Sequence, residues 1–157
     1  EIAGIRPSHV HHYLGSRQEM LEAAVERALA NVETLVIDAL ESTPLEQRLS
    51  AQLDIIFSRE IAAPEVNQLI DQLLAASYHH PTIRTAMKAM YLRFADVIQR
   101  SVAAAYPRAD PEKSREVAHA ILELAHASAS FAWLGFEPNN LDYSRAAAQE
   151  LLRRLSD

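Results

Sequence analysis

The apolar residues of this chain recur three and four positions apart along almost its whole length, and no long stretch alternates with a period of two. That spacing lines side chains along one face of a 3.6-residue helix, so the chain can bury its core only by packing helices on helices. Only three glycines occur, and six of the seven prolines lie between periodic segments or open them. Interruptions placed there divide helices rather than break them. An all-α fold is expected.

The periodic segments can be read in order. A short helix opens near Pro7, a proline suited to a first helical turn, and stops before Gly15. Ser16-Arg17-Gln18-Glu19 has the form of a capping box, in which Ser16 accepts from the Glu19 amide while Glu19 reaches back. From there a long helix carries Met20, Leu21, Ala24, Val25, Ala28, Leu29, Val32, Leu35 and Val36 to about Leu40. After Pro44, a helix puts Leu45, Leu49, Leu53, Ile56 and Phe57 on one face. Pro64 starts another with Val66, Leu69, Ile70, Leu73 and Leu74. His79-His80-Pro81 reads as a turn whose histidines cap a helix end. It leads into a long helix with a stripe of Ile83, Met87, Met90, Phe94, Val97 and Ser101. Beyond the loop from Tyr106 to Pro111, a helix from about Glu112 to Leu134 is expected, then a turn from Gly135 to Asn140. A final helix carries Leu141, Ala147, Leu151, Leu152 and Leu155, and there is no internal repeat.

A length of 157 residues suits one domain or one domain with a small appendage. With 49% hydrophobic and 23% charged residues, the chain can bury a core and is not of the disordered class. No apolar run reaches the roughly 18 residues of a membrane span, and no Met-led targeting segment is seen. No membrane partner is therefore expected; a cytoplasmic location is expected as well, although the lack of cysteine leaves the redox compartment open. The absence of cysteine excludes disulfides and thiolate metal sites. A net charge of −6 argues against coating nucleic acid by charge alone. Even over residues 1–27, Arg6, Arg17 and Arg27 are set against Glu1, Glu19, Glu22 and Glu26. Any recognition of DNA has to rest on a motif.

Such a motif occupies positions 3–21, Ala-Gly-Ile-Arg-Pro-Ser-His-Val-His-His-Tyr-Leu-Gly-Ser-Arg-Gln-Glu-Met-Leu. A helix-turn-helix needs a glycine where its first helix ends and the chain reverses, and Gly4 supplies it. Ile5 can seat the second helix. Val10 and Leu14, four apart, face inward and leave Ser8, His9, His11, His12 and Tyr13 outside. The order Ala-Gly-apolar-x-x-Ser, then an aromatic, an apolar residue, Gly-Ser-basic-x-Glu-apolar-Leu, resembles the TetR family of bacterial transcriptional repressors.

The resemblance implies that Arg6, Pro7 and Ser8 lie at the base-contacting end of a recognition helix. His9, His11, His12 and Tyr13 would then mix base and phosphate contacts. Arg17 would meet a phosphate at a helix N-terminus. The chain departs from the family pattern at two positions: a threonine or alanine is usual where His9 stands, and a tyrosine or phenylalanine where His11 stands. The resemblance also implies two further helices ahead of this stretch, about 30 residues at ordinary helix lengths. It divides the chain into a partial DNA-binding region with its connecting helix (1–40, the helix from about 17) and a helical effector-binding and dimerisation domain (41–157). The protein so implied is a dimeric, ligand-responsive regulator of transcription. Its partners are double-stranded operator DNA, an unidentified small-molecule effector and a second copy of itself; it has no cofactor and is not an enzyme.

Within the body, Phe57, Leu73, Met87, Met90, Tyr91, Phe94 and Trp133 are the large or polarizable side chains that could line an apolar pocket. Tyr91, His119, Glu123 and His126 are the polar groups that could orient a ligand. Ala125, Ser128, Ala129 and Ala132 fall at spacings of three and four, and Ala147, Leu151 and Leu155 keep the same rhythm. Small residues so spaced let helices approach closely, and they are expected to form a dimer seam, with packing inside one chain as the alternative.

Two other readings were open. His119, Glu123 and His126 lie at i, i+4 and i+7, which permits a metal site in a helical enzyme or metal sensor. They fit better as histidines hydrogen-bonded in the core or in a dimer seam. His9, His11 and His12 could make a DNA contact sensitive to pH near neutrality. No Ser-His-Asp spacing and no glycine-rich phosphate loop is present, so the residues do not suggest an enzyme.

Overall fold

The computed structural model describes residues 17–156, and among them it shows six helices and no strand. They are α1 (Arg17–Glu41), α2 (Leu45–Ile56), α3 (Pro64–Ser77), α4 (Pro81–Ala105), α5 (Pro111–Trp133) and α6 (Asn140–Arg153). The all-α expectation holds.

Proline opens α3, α4 and α5 from within the first turn, where its missing N–H costs nothing and its fixed φ is already helical. At α5 the Asp110 carboxylate also accepts from the amides of Glu112 (2.9 Å) and Lys113 (3.1 Å), satisfying two donors that have no partner inside the helix. The negative ends of α1 and α3 are closed by arginines from the helices that follow. Arg48 donates to the Thr43 carbonyl (3.0 Å) and the Glu41 carbonyl (3.4 Å). Arg84 donates to the carbonyls of Ser77 (3.0 Å) and Tyr78 (3.1 Å). The expected capping by His79 and His80 is not what the structure shows. Both are exposed, His80 precedes α4 without a side-chain cap bond, and only their backbone amides bond back to Ala76. The longer stem of Arg84 reaches the carbonyls instead. After α5 the chain reverses at Gly135 with φ +64°, a conformation that glycine adopts without strain.

α4 is the central element and packs against α1, α2, α3 and α5. The stripe expected on it is buried throughout: Ile83, Met87, Met90, Phe94, Val97 and Ser101. Its first half joins Val25 and Leu29 of α1 and Ile70 and Leu73 of α3 in one apolar cluster. Its second half joins Leu40, Leu49, Leu53, Ile56 and Phe57 with Ala118, Ile121 and Ala125 of α5 and Ala148 and Leu152 of α6 in another. Val36, Ile37 and Leu122 pack against both clusters. Residues 25, 29, 36 and 40 of α1 are spaced 4, 7 and 4 apart, so a single face of that helix runs over the whole body.

Two buried amides fix the ends of this arrangement. Gln52 donates to the Leu40 carbonyl (3.1 Å), tying α2 to the end of α1. Asn140, at the start of α6, donates to the Ser128 carbonyl (2.5 Å) and sets α6 against α5. Exposed ion pairs follow the same contacts, Arg100 with Glu41 (2.9 Å) and Arg145 with Asp54. Exposed pairs add little energy and mainly mark which helices are neighbours.

Candidate ligand-binding site

The site grows out of the α4–α5 contact. Lys88, Tyr91 and Leu92 lie within about one turn on α4, and His119, Leu122, Glu123 and His126 follow each other along one face of α5. Together these seven line an open cavity of about 280 Å³. Adjoining it is a second, smaller cavity of about 90 Å³ with a mostly apolar wall. That wall comes from every helix except α6. Val36 is supplied by α1, Ile56 by α2, Asn67 and Ile70 by α3, Met90 and Phe94 by α4, and Ala125 and Ala129 by α5. Ile61, in the loop between α2 and α3, completes it. Asn67 holds that loop in place by donating to the carbonyls of Ile61 (3.2 Å) and Ala63 (3.1 Å).

Tyr91, Leu122 and His126 line both cavities and so form the wall between them. The Tyr91 hydroxyl and His126 Nδ1 are hydrogen-bonded at 3.1 Å. The Tyr91 ring meets His126 edge-on (5.7 Å between centroids, 83°) and Phe94 likewise (6.4 Å, 88°). Burial pushes the Tyr91 phenol up to about 12, and the Asp71 carboxylate adds to the shift by disfavouring a second negative charge. Tyr91 is therefore a neutral phenol at any physiological pH. Asp71 itself accepts from the Ser130 hydroxyl (3.3 Å), which ties α3 to α5 beside this wall.

The residues expected to form a pocket separate into three groups. Tyr91, His119, Glu123 and His126 line the outer cavity, and Met90, Tyr91, Phe94 and His126 line the inner one. Phe57, Leu73 and Met87 are buried core that lines neither. Trp133 is 56% exposed at the last turn of α5, about one turn past Ala129, and also lines neither. Sequence reasoning missed Lys88, Leu92 and Leu122. The signal for Lys88 was a lone cation in the otherwise apolar run Ala86-Met87-Lys88-Ala89-Met90, one turn before Leu92.

Although His119, Glu123 and His126 share a cavity, no group of three or more potential ligands among the described residues is placed to hold a metal ion. His126 has committed Nδ1 to Tyr91, and a spread of seven residues along one helix keeps the outer two side chains two turns apart. The metal-enzyme and metal-sensor alternative loses its geometric basis here.

The residues expected to close a dimer seam also divide. Ala125, Ser128 and Ala129 are buried within the chain, two of them walling the inner cavity. On α6, Ala148 and Leu152 turn inward, while the neighbouring Ala147 is exposed and Leu151 half-buried. Leu155 packs against the core and Ala132 is half-buried. The expectation for Ala125, Ser128 and Ala129 is thus corrected: their small side chains seat helices of the same chain, with Asn140 of α6 bonded at Ser128. The outward face of α5 carries instead Ala127 and Phe131, with Leu134 just past its end, and α6 carries Tyr143 and Ala147. Leu134 and Tyr143 are 70% and 61% exposed.

Arg6, Pro7, Ser8, His9, His11, His12 and Tyr13 lie outside the described residues. Arg17 is the first residue of α1, and only its backbone is described. Among the described residues no helix is long and apolar enough to cross a membrane. No family model, no curated protein and no solved structure matches the chain.

Proposed function

We propose that this chain is the body of a ligand-responsive, dimeric regulator of transcription, resembling TetR-type repressors, in which an effector bound between α4 and α5 controls DNA binding. One observation carries the reading: the helix that directly follows the helix-turn-helix-like stretch also contributes a wall residue, Val36, to the inner cavity. α1 is a single helix from Arg17 to Glu41, about 36 Å long at 1.5 Å per residue. A ligand that displaces Val36 tilts the whole helix. A small shift at the cavity then becomes a larger one at the Arg17 end, and two such ends set the spacing of paired recognition helices.

Homodimer formation belongs to the same proposal, since a two-fold operator requires a two-fold protein. The surface offered for it is the outward face of α5 and α6, with Ala127, Phe131 and Leu134 at i, i+4 and i+7 and Tyr143, Ala147 and Leu151 four apart. Large apolar side chains this exposed on a single chain mark an interaction surface.

Fluorescence anisotropy of the full-length protein with the promoter DNA upstream of its own coding sequence tests the reading. Binding is expected to be sequence-specific and to weaken steeply with salt. Absence of a specific complex at low salt would sink it. Without such a complex, a dimer alone does not rescue the regulator.

A further inference from the structure

We propose that the occupant of the two-chambered site is an amphipathic monoanion: a carboxylate at the mouth beside Lys88 and His119, with an unbranched apolar tail reaching past Tyr91 and His126 into the inner cavity. The inference deepens the ligand-responsive reading above and rests on it.

Charge at the mouth selects the head group. Lys88 lines the outer cavity and, like several other exposed cations, has no ion-pair partner among the described residues; what sets it apart is its place beside His119 in a cavity that adjoins an apolar one. An unpaired ammonium next to an imidazole is an anion site that keeps its ligand partly hydrated. Glu123 on the same rim and Asp71, whose charge is felt at Tyr91, oppose a second negative charge. A single carboxylate meets both conditions, and a phosphate dianion does not. Asp71 also keeps the charge at the mouth, because a carboxylate driven inward would lose its water and approach another carboxylate.

The inner chamber selects the tail. Val36, Ile70, Met90, Phe94, Ala125 and Ala129 supply most of the apolar lining of a cavity of about 90 Å³. Its lining atoms lack contacts on one side, and an apolar tail restores them. The void is too small for a fused ring system, and the adaptable Met90 side chain suits a slim polymethylene chain. The neutral Tyr91 phenol and His126 are bonded to each other, so neither brings a net charge into the inner chamber through that contact. Besides Tyr91 and His126, the polar side chain of that lining is Asn67, which spends its amide hydrogens on two backbone carbonyls.

Isothermal titration calorimetry of the full-length protein tests this with sodium hexanoate, octanoate, decanoate and dodecanoate, with octanol and octyltrimethylammonium as neutral and cationic probes of matched tail. Affinity for the carboxylates is expected to rise about fourfold per added methylene and then level off once the inner cavity is full. Lys88→Gln, at an exposed position that folding does not need, is expected to weaken octanoate about fivefold and leave octanol unchanged. Ala129→Val is expected to move the plateau to a shorter tail. Failure of all the carboxylates to bind overturns the proposal. So does octyltrimethylammonium binding as tightly as octanoate, or octanoate affinity indifferent to Lys88. DNA binding measured on the same samples separates the two readings. Carboxylate binding without any operator complex removes the regulator and leaves the site. An operator complex released by some other ligand, with carboxylates inert, removes the site chemistry and leaves the regulator.

Discussion

Tyr91 occupies the wall between two chambers, and its environment has a thermodynamic consequence. Its phenol is raised from an ordinary value of 10.0 to about 12, so above pH 10 the unfolded chain releases a proton that the folded chain keeps. Stability contributed by this residue is complete below about pH 10 and is lost as pH rises toward 12. Urea unfolding of the wild type and Tyr91→Phe across that window should therefore converge, with the wild type falling faster. At neutral pH, Tyr91→Phe should cost about 1 kcal/mol through loss of the bond to His126 Nδ1. An unchanged difference between the two proteins across the alkaline range would falsify the burial of the phenol. The same scale shows how legibility varies between residues. Tyr91 and His126 were legible as polar groups on apolar helix faces. Trp133 was not, because a large aromatic near a helix end carries no local sign of whether a neighbour covers it.

At the scale of elements, the helices and their breaks followed from local rules, and their caps can be tested. Gly135 has φ +64°, and a Cβ placed there would meet nothing within 4 Å. Gly135→Ala should accordingly destabilise by about 1 kcal/mol through the backbone alone, readable as a lower urea midpoint with an unchanged slope. Asp110→Ala should cost a similar amount, about 1 kcal/mol, by orphaning two amides at the start of α5. Arg84 is the instructive miss. Histidines beside a helix end suggested a cap, yet the carbonyls of Ser77 and Tyr78 are met by a guanidinium from the next helix. That contact depends on the angle between α3 and α4, and no local pattern encodes it.

For the whole molecule, adjacent residues on α6 should behave in opposite ways. Ala148 is fully buried against the core, so Ala148→Leu should overpack it and cost about 1–3 kcal/mol. Ala147 is exposed on the face offered to a second copy, so Ala147→Glu should leave the urea midpoint nearly unchanged while sedimentation velocity reports dissociation to monomers. A monomeric wild type, or a dimer indifferent to both Ala147→Glu and Leu134→Glu, would remove this face from the proposal. The sequence by itself determined the helices, their approximate ends and the inward stripe of α4, because apolar spacing, prolines and glycines act within one or two turns. It also carried the helix-turn-helix resemblance at residues 3–21, which depends on order along the chain. Only the tertiary structure decided that Ala125, Ser128 and Ala129 face their own chain, and that Lys88 and His119 line one cavity beside a smaller apolar one. Small side chains four apart fit a neighbouring helix of either origin equally well. A cavity exists only where several helices fail to fill the space between them.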